Sequence, residues 1–199
     1  MTIIAAIDPE SIINAAGILK EGRLVALPTE TVYGLGADAT NATAVAAIYT
    51  AKGRPSFNPL IAHVSDLSQA MKEAHFSEIA LKLAEKFWPG PLTIVAPVSS
   101  KCSVCDLARA GLDSVALRIP ADLTAQKLIS TLGRPIAAPS ANRSGHISSV
   151  TAAHVASDLF GKVDLILDGG PTKFGLESTI VSFCQPEPIL LREIGRAHV

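Results

Sequence analysis

Two short clusters of polar residues, far apart in the chain, have the side chains needed to bind a polyanion. Lys52 and Arg54 offer two cations where a helix pattern ends. Ser140 and Asn142 offer a hydroxyl and an amide after a short apolar strand pattern. Arginine contacts phosphate with paired hydrogen bonds and lysine acts as a point charge, so the clusters predict a site for a nucleoside triphosphate. A solvated helix C-terminus, where cations are favoured, explains the first cluster at least as well.

Four separated segments contain or flank these clusters in a defined order. They are LPTETVYGLG at 27–36, KGRPSFNPL at 52–60, PSANRSG at 139–145 and LESTI at 176–180. The ordered set resembles the YrdC family, the L-threonylcarbamoyladenylate synthases of tRNA modification. The resemblance runs from about residue 12 to residue 192, nearly the whole chain.

The resemblance implies a nucleotidyl transfer in which L-threonine, bicarbonate and ATP give threonylcarbamoyl-AMP and pyrophosphate. The threonine amine and bicarbonate form a carbamate, whose oxygen attacks the α-phosphate, so no activated serine or cysteine of the protein is required. Mg²⁺ is expected to arrive with ATP, because phosphoryl chemistry depends on positioning and charge neutralisation. The implied partners are tRNA-modifying transferase proteins that receive the product, and a contact with tRNA is also expected.

The resemblance also assigns residues to two groups of contacts. Lys52 and Arg54 are the expected catalytic cations on the phosphates, helped by Arg192. The residues expected on the nucleotide are Arg54, Asn58, Ser140, Asn142, Ser148 and Arg192. Those expected around threonine are Thr31, His63, Arg118, Ser140 and Ser178, with Arg118 on its carboxylate and with Thr29 and Tyr33 lining the pocket.

Two of these residues have ordinary structural explanations that the sequence leaves open. His63 ends the apolar run 59–62, where a single histidine is more often a satisfied core residue. Arg118 interrupts an apolar strand pattern at 115–119, and a buried charge is costly unless it is paired. A ligand or an acidic partner must therefore lie close to Arg118.

Composition indicates one globular domain with a sizeable core. The chain has 199 residues, 48% hydrophobic and 18% charged, with a formal net charge of −1. This balance argues against a general nucleic-acid coat, although it permits a local basic pocket. No apolar run approaches the ~18 residues of a membrane-spanning helix. The first eight residues lack a basic region and include an acid, so we expect a cytoplasmic protein without a signal peptide.

Two further patterns are ambiguous. Cys102 and Cys105 form a C-x-x-C in a polar stretch without a second ligand pair, so we interpret them as free thiols in a loop, and assign no metal site. The segment GLGADA at 34–39 resembles a dinucleotide fingerprint, but six residues separate it from the preceding strand. Its glycines are expected to allow a tight turn or close approach to a ligand.

Interleaved helix and strand patterns predict an α/β fold, a twisted mixed open sheet flanked by helices, and the resemblance implies a concave ligand cavity. Helix starts are predicted at Asp8, Asn41, Ser77 and Asp122. Strands at 163–167, 179–183 and 189–191 follow one another without a helix between them. This spacing favours a mixed sheet over a wholly parallel one.

The predicted domain is 1–192, followed by a non-native tail at 193–199. The segment GLESTIV at 175–181 is similar to that of longer family members with a second domain. The segment EIGRAHV at 193–199 looks like a translated sequencing adapter. Two rival functions remain at this point. One is a related carbamoyl-adenylate enzyme of hydrogenase maturation, and the other is an RNA-binding module without turnover, which predicts salt-sensitive RNA binding.

Overall fold

The computed structural model describes residues 2–193. The strands are β1 Ile3–Ala6, β2 Val25–Leu27, β3 Gly34–Asp38, β4 Ile61–His63, β5 Leu92–Pro97, β6 Ser114–Arg118, β7 Ile136–Ala137, β8 Leu165–Asp168, β9 Thr179–Ser182 and β10 Ile189–Arg192. The helices are α1 Pro9–Lys20, α2 Ala42–Lys52, α3 Leu67–Glu73, α4 Glu78–Phe87, α5 Leu123–Leu132 and α6 Ala152–Leu159. Of the predicted tail, 194–199 lie outside the described residues, and the tail stays a prediction.

All these strands belong to one mixed sheet in the order β1-β8-β2-β3-β7-β4-β6-β5-β9-β10. The pairs β1/β8, β8/β2, β4/β6 and β5/β9 are parallel, and the other neighbouring pairs are antiparallel. The predicted α/β class with a mixed sheet is confirmed. The antiparallel β9 and β10 are two of the strands whose close spacing in sequence predicted a mixed sheet.

Helices cover both faces of the sheet because its strands alternate apolar side chains between two cores. In β2, Val25 and Leu27 pack with α1 and α5, whereas Ala26 faces the larger core that includes α2, α4 and α6. In β8, Leu165 and Ile166 divide between the two cores in the same way. Period-two burial of this kind holds the sheet in one register.

Capping side chains start the helices where the sequence predicts. The Asp8 carboxylate accepts a hydrogen bond from the Ser11 backbone N–H, and the Ser11 hydroxyl completes a capping box. The Asn41 side chain accepts from the second and third N–H groups of α2. Ser77 and Asp122 cap α4 and α5 in the same manner. These local bonds orient α2, whose last residue is Lys52.

The tight turn expected of the 34–39 glycines is wrong, and their approach to a ligand stays a prediction. Residues 34–38 form β3, a buried strand between β2 and β7. A Cβ added at Gly36 would lie 2.8 Å from Leu27 Cδ2 and 3.0 Å from the Val25 carbonyl oxygen. Glycine is therefore needed because neighbouring strands and side chains approach closely. The pattern does not alternate because both faces of β3 are buried.

We expect Gly36→Ala to destabilise the protein by about 1–3 kcal/mol, because the new methyl group meets backbone and core atoms that have little room to move. Gly17→Ala is the matched control, since nothing lies within 4 Å of a Cβ at Gly17 in α1. That change should stabilise by about 0.5–1 kcal/mol. Chemical unfolding of both variants measures the difference, and equal stabilities would contradict the packing argument.

Two smaller features complete the fold. Cys102 and Cys105 are free thiols in the loop between β5 and β6, as predicted. The buried Glu73 carboxylate holds that loop by accepting hydrogen bonds from the backbone N–H groups of Ser103 and Val104 and from the Ser103 hydroxyl. Within residues 2–193, the helices are too short or too polar to cross a bilayer.

Candidate active site

A cavity of about 130 Å³ opens where several strands and loops meet. The parallel strands β4 and β6 end side by side here, and His63 is paired in register with Arg118. Seven predicted residues from six distant parts of the chain line the cavity. They are Thr31, Arg54, His63, Arg118, Ser140, Ser178 and Arg192.

The loop after β7 carries Ser140 to the cavity by extending the pairing with β3. The Leu35 N–H donates to the Pro139 carbonyl at 2.7 Å, and the Ala141 N–H donates to the Tyr33 carbonyl at 2.7 Å. Gly34 forms an isolated bridge with Ser140. Because these bonds fix the backbone on both sides of it, Ser140 is held against the cavity rather than on a free loop.

Arg118 has the acidic partner that its burial requires. Its Nη2 donates to Glu30 Oε1 at 2.6 Å, and its Nε donates to the Gly90 carbonyl at 3.1 Å. Both side chains of the ion pair are about 95% buried, with 5% and 6% of their surface exposed. Burial lowers the pKa of the guanidinium, while the charge of Glu30 opposes that effect. Of the two partners expected for Arg118, a ligand or an acid, the acid is therefore present. The guanidinium also lines the cavity.

His63 is a neutral imidazole in the cavity wall. It is 3% exposed, and its Nδ1 has no hydrogen-bond partner among the described residues. Burial, reinforced by the nearby charge of Arg118, lowers the pKa of His63 from 6.5 to about 3. A buried nitrogen without a partner is unusual in a core residue and is suited to a bound polar ligand.

The low pKa of His63 should make stability depend on pH. Between pH 3 and 6.5 the unfolded chain binds a proton at this histidine and the native protein does not. The stability that depends on neutral His63 is therefore fully present above pH 6.5. The free energy of unfolding then decreases as the pH falls, by up to ~1.4 kcal/mol per pH unit.

Urea unfolding at several pH values between 4.5 and 7 tests this expectation. His63→Asn should reduce the loss of stability on acidification, whereas His75→Asn, at an exposed position, should leave it unchanged. An identical pH profile for wild type and His63→Asn would show that His63 titrates normally.

Three guanidinium groups, those of Arg54, Arg118 and Arg192, line the cavity. The Arg54 Nη2 donates to the Pro59 carbonyl at 3.3 Å, and its buried Nε has no partner within the described part of the chain. Burial lowers the pKa of Arg54. Such a cluster is unfavourable without anions and is suited to a ligand with several negative charges.

Arg192 binds the segment that carries Ser178. Its Nε donates to the Ser178 carbonyl at 2.8 Å, and its Nη2 donates to the Ser178 hydroxyl at 3.2 Å. Its Nη1 bonds to Glu177, whose other carboxylate oxygen accepts from the Ser148 hydroxyl at 2.9 Å. Arg192 thus joins β10 to the cavity through Glu177 and Ser178.

A chain of hydroxyl groups prepares Thr31 to accept a hydrogen bond. The Thr29 hydroxyl donates to the Val32 carbonyl at 2.7 Å and lies 2.8 Å from the Thr31 hydroxyl. Because Thr29 uses its only proton on Val32, Thr31 must donate to Thr29. Thr31 lines the cavity, and its oxygen keeps lone pairs that suit an ammonium or hydroxyl group of a ligand.

Lys52 does not line the cavity and instead supports the Ser140 loop. It is 4% exposed, and its ammonium group donates to the Ser140 carbonyl and the Asn142 carbonyl, each at 2.5 Å. Burial and the charge of Arg54 lower the pKa of Lys52 to about 8. The two clusters predicted from sequence are thus joined directly, and the phosphate contact predicted for Lys52 stays a prediction.

Other predicted residues lie around the cavity but not in its wall. Asn142 is buried, and its side-chain N–H₂ donates to the Arg143 and His146 carbonyls, which shapes the loop. Asn58 accepts a bond from Tyr49 through its carbonyl. Ser148, Thr29 and Tyr33 are also absent from the residues that line the cavity. The expected pocket contact of Tyr33 is not seen, because its hydroxyl bonds to Gly169 and Gly170.

Sequence reasoning missed the two carboxylates of the site, Glu30 and Glu177. Both lie inside quoted segments, at 27–36 and 176–180, and the buried charge of Arg118 indicated that an acid was near. The partner could not be chosen because Glu30 and Arg118 are 88 residues apart. Their proximity is a property of the folded sheet.

The fold and the cavity together define an α/β protein with a basic, hydroxyl-lined cavity at the ends of its strands. A model of the Sua5, YciO and YrdC family, described as "Telomere recombination", matches residues 17–193. The chain belongs to this family, and the resemblance indicated by the four segments is confirmed.

Curated relatives carry an enzyme name. A threonylcarbamoyl-AMP synthase of Pyrococcus abyssi is 52% identical over 182 residues, which is 91% of this chain and 53% of the relative. The Bacillus subtilis threonylcarbamoyl-AMP synthase is 50% identical over 189 residues, 94% of this chain and 54% of the relative. The chain thus spans about half the length of these two proteins. A putative threonylcarbamoyl-AMP synthase of Mycobacterium tuberculosis is 38% identical over 195 residues, covering 93% of this chain and 86% of that protein.

Solved structures agree with the fold. The crystal structure of P. abyssi Sua5 complexed with L-threonine has a TM-score of 0.91 and 49% identity, covering 96% of this chain and 57% of that one. E. coli YciO has a TM-score of 0.82 at 22% identity, covering 97% and 95%, and supports the fold alone.

Proposed function

We propose that this protein makes L-threonylcarbamoyl-AMP from L-threonine, bicarbonate and ATP, with release of pyrophosphate. The observation that carries the proposal is the single cavity that unites three guanidinium groups with Thr31, His63 and Ser178. Relatives that share about half of its residues are named for this product. A Sua5 protein of the same fold has been solved with L-threonine, which supports an amino-acid site.

Within this proposal, the cavity residues divide between the two substrates. Arg118 takes the threonine carboxylate, while Thr31 and Ser178 take the threonine polar groups. Arg54 and Arg192 take the phosphates, and Ser140 lies between the two ligands. The ATP-binding part of the site is supported or completed by Asn58, Asn142, Ser148 and Lys52. Holding two anions together in this way is catalysis by positioning and electrostatics.

The proposed chemistry proceeds through the substrates. Protonated threonine and bicarbonate give the carbamate, one water molecule and one proton. A carbamate oxygen then bonds to the α-phosphorus of ATP, and the bond from that phosphorus to the bridging oxygen of pyrophosphate breaks. The guanidinium groups neutralise the charge that would otherwise keep carbamate and triphosphate apart.

Mg²⁺ would enter as part of the nucleotide substrate. Among residues 2–193, no three His, Cys, Asp or Glu side chains are grouped as a metal site. Mg²⁺ is commonly held by substrate phosphates with one or two protein carboxylates, and Glu177 is the carboxylate of the described chain that lines the cavity beside Arg54 and Arg192.

The reactive adenylate is proposed to pass to tRNA-modifying transferase proteins, which place the threonylcarbamoyl group on tRNA. A mixed anhydride of carbamate and phosphate is an activated acyl donor, which suits it to a consuming transferase. Direct contact with tRNA belongs to the same proposal.

Pyrophosphate release tests the proposed function directly. Purified protein is incubated with ATP, Mg²⁺ and bicarbonate, with and without L-threonine, and the adenylate is identified by mass. We expect threonine-dependent pyrophosphate and the mass of threonylcarbamoyl-AMP, with L-alanine as a control amino acid that gives far less. Folded protein that binds neither ATP nor threonine would overturn the site assignment, and salt-sensitive RNA binding by such protein would favour the RNA-binding alternative.

A further inference from the structure

The Glu30 carboxylate fixes the guanidinium of Arg118 from behind the cavity. Glu30 Oε1 accepts from Arg118 Nη2 at 2.6 Å, and Glu30 Oε2 accepts from the Ala121 backbone N–H at 3.0 Å. The Arg118 Nε is held separately by the Gly90 carbonyl at 3.1 Å. Two nitrogens of the planar guanidinium are therefore bound to different elements, so its plane and its rotation are both determined.

One nitrogen of this guanidinium remains for a ligand. Within residues 2–193, Nη1 of Arg118 makes no hydrogen bond, while the side chain contributes to the cavity wall. Glu30 does not line the cavity, so it can act on a ligand only through Arg118. A group oriented in advance loses less conformational entropy when it binds, and it discriminates more sharply between ligands.

We infer that Glu30 is a positioning residue that makes the site selective for the α-carboxylate of its amino-acid substrate. This inference rests on the proposed function, because it takes the Arg118 ligand to be threonine. With Glu30 in place, the free edge of Arg118 presents only donors, which suits a carboxylate. A primary amide in the same place brings its own donors against them and is rejected.

The charge of Glu30, as well as its shape, is needed for this role. Arg118 and Glu30 are both almost completely buried. The carboxylate is therefore the counter-ion that stabilises the charged guanidinium in the absence of substrate. Glutamine at this position keeps a similar volume but removes the counter-ion, and its amide can present either oxygen or nitrogen to Arg118. The guanidinium is then free to leave its substrate-binding orientation.

Calorimetric titration with L-threonine and with L-threonine amide tests the inference. For the wild type we expect preference for the acid by about 100-fold, since the amide leaves cavity donors unpaired. Glu30→Gln should weaken threonine binding by about tenfold or more and reduce the preference by a similar factor, with ATP affinity unchanged. Glu30→Asp should restore part of the preference, because it keeps the charge at a longer distance.

Glu73→Gln is the matched control. Glu73 is another buried carboxylate that accepts several hydrogen bonds, but it holds the loop at 103–104 and does not line the cavity. It should cost stability without altering the preference for acid over amide. Thermal unfolding shows whether each variant is folded, and Glu30→Asp provides the comparison if Glu30→Gln is not.

The outcomes separate the inference from the proposed function. Wild-type protein that binds neither threonine nor its amide would overturn the proposed function. A second outcome is that wild type prefers threonine, Arg118→Ala loses that preference, and folded Glu30 variants keep it. In that case the positioning role of Glu30 is wrong while the proposed function stands. Equal loss of preference in Glu73→Gln would reduce the role of Glu30 to general stability.

Discussion

Arg54→Ala is expected to lower kcat for pyrophosphate release by about two to three orders of magnitude, which is the usual effect of removing one donor to a developing charge. Arg54 lines the cavity, and among residues 2–193 its guanidinium makes one long hydrogen bond, 3.3 Å to the Pro59 carbonyl. Since so little of the protein depends on that bond, stability should change by less than about 1 kcal/mol. The loss should therefore lie in chemistry rather than in folding.

Steady-state assays with saturating threonine, together with thermal unfolding, measure both effects of Arg54→Ala. Arg54→Lys should recover a small part of the activity, because lysine supplies charge without paired hydrogen bonds. Arg23→Ala is the control, as Arg23 forms an exposed ion pair with Asp164 outside the cavity. Near-normal kcat in folded Arg54→Ala would remove Arg54 from the proposed mechanism.

Lys52→Met should damage both stability and turnover, because Lys52 joins the two clusters from which the nucleotide site was predicted. Its ammonium group donates to the carbonyls of Ser140 and Asn142, and methionine of similar length would leave these acceptors, one partly and one fully buried, without that donor. We expect a loss of about 2–3 kcal/mol in unfolding free energy. Displacement of the Ser140 loop should lower turnover by about 100-fold, since small misplacements in a reacting site have effects of this size.

Chemical unfolding and kinetic assays of Lys52→Met distinguish this supporting role from a phosphate contact alone. A residue that only binds phosphate would lose turnover and ATP affinity with unchanged stability. Lys20→Met is the control, since Lys20 is the exposed last residue of α1 and a helix C-terminal lysine like Lys52. Unchanged stability in Lys52→Met would show that the ammonium group does not hold the loop.

The contrast between Arg54 and Lys52 has a simple structural origin. Gly53 separates them and ends α2 in the left-handed conformation at φ 62°. The residue before this turn directs its side chain inward under the Ser140 loop, and the residue after it reaches the cavity. Two cations separated by one residue in sequence thus have different surroundings and different expected effects.

Local interactions determined much of this protein from sequence alone. Asp8, Asn41, Ser77 and Asp122 cap helices where their sequence context predicts, because an N-cap bonds to N–H groups only two or three residues away. Adjacent strand patterns late in the chain indicated the mixed sheet. The four ordered segments indicated the family, and they contain four of the seven predicted residues that line the cavity, namely Thr31, Arg54, Ser140 and Ser178.

Contacts between distant parts of the chain were decided only by the tertiary structure. The Glu30 and Arg118 side chains are 88 residues apart, and Lys52 and Asn142 are 90 apart, so no local pattern selects either pair. The 34–38 strand was missed because burial on both faces removes the alternation by which strands are recognised. Residue types could indicate that a buried arginine needs an anion, but only the order and register of the strands decide which carboxylate lies behind it and which nitrogen is left for a substrate.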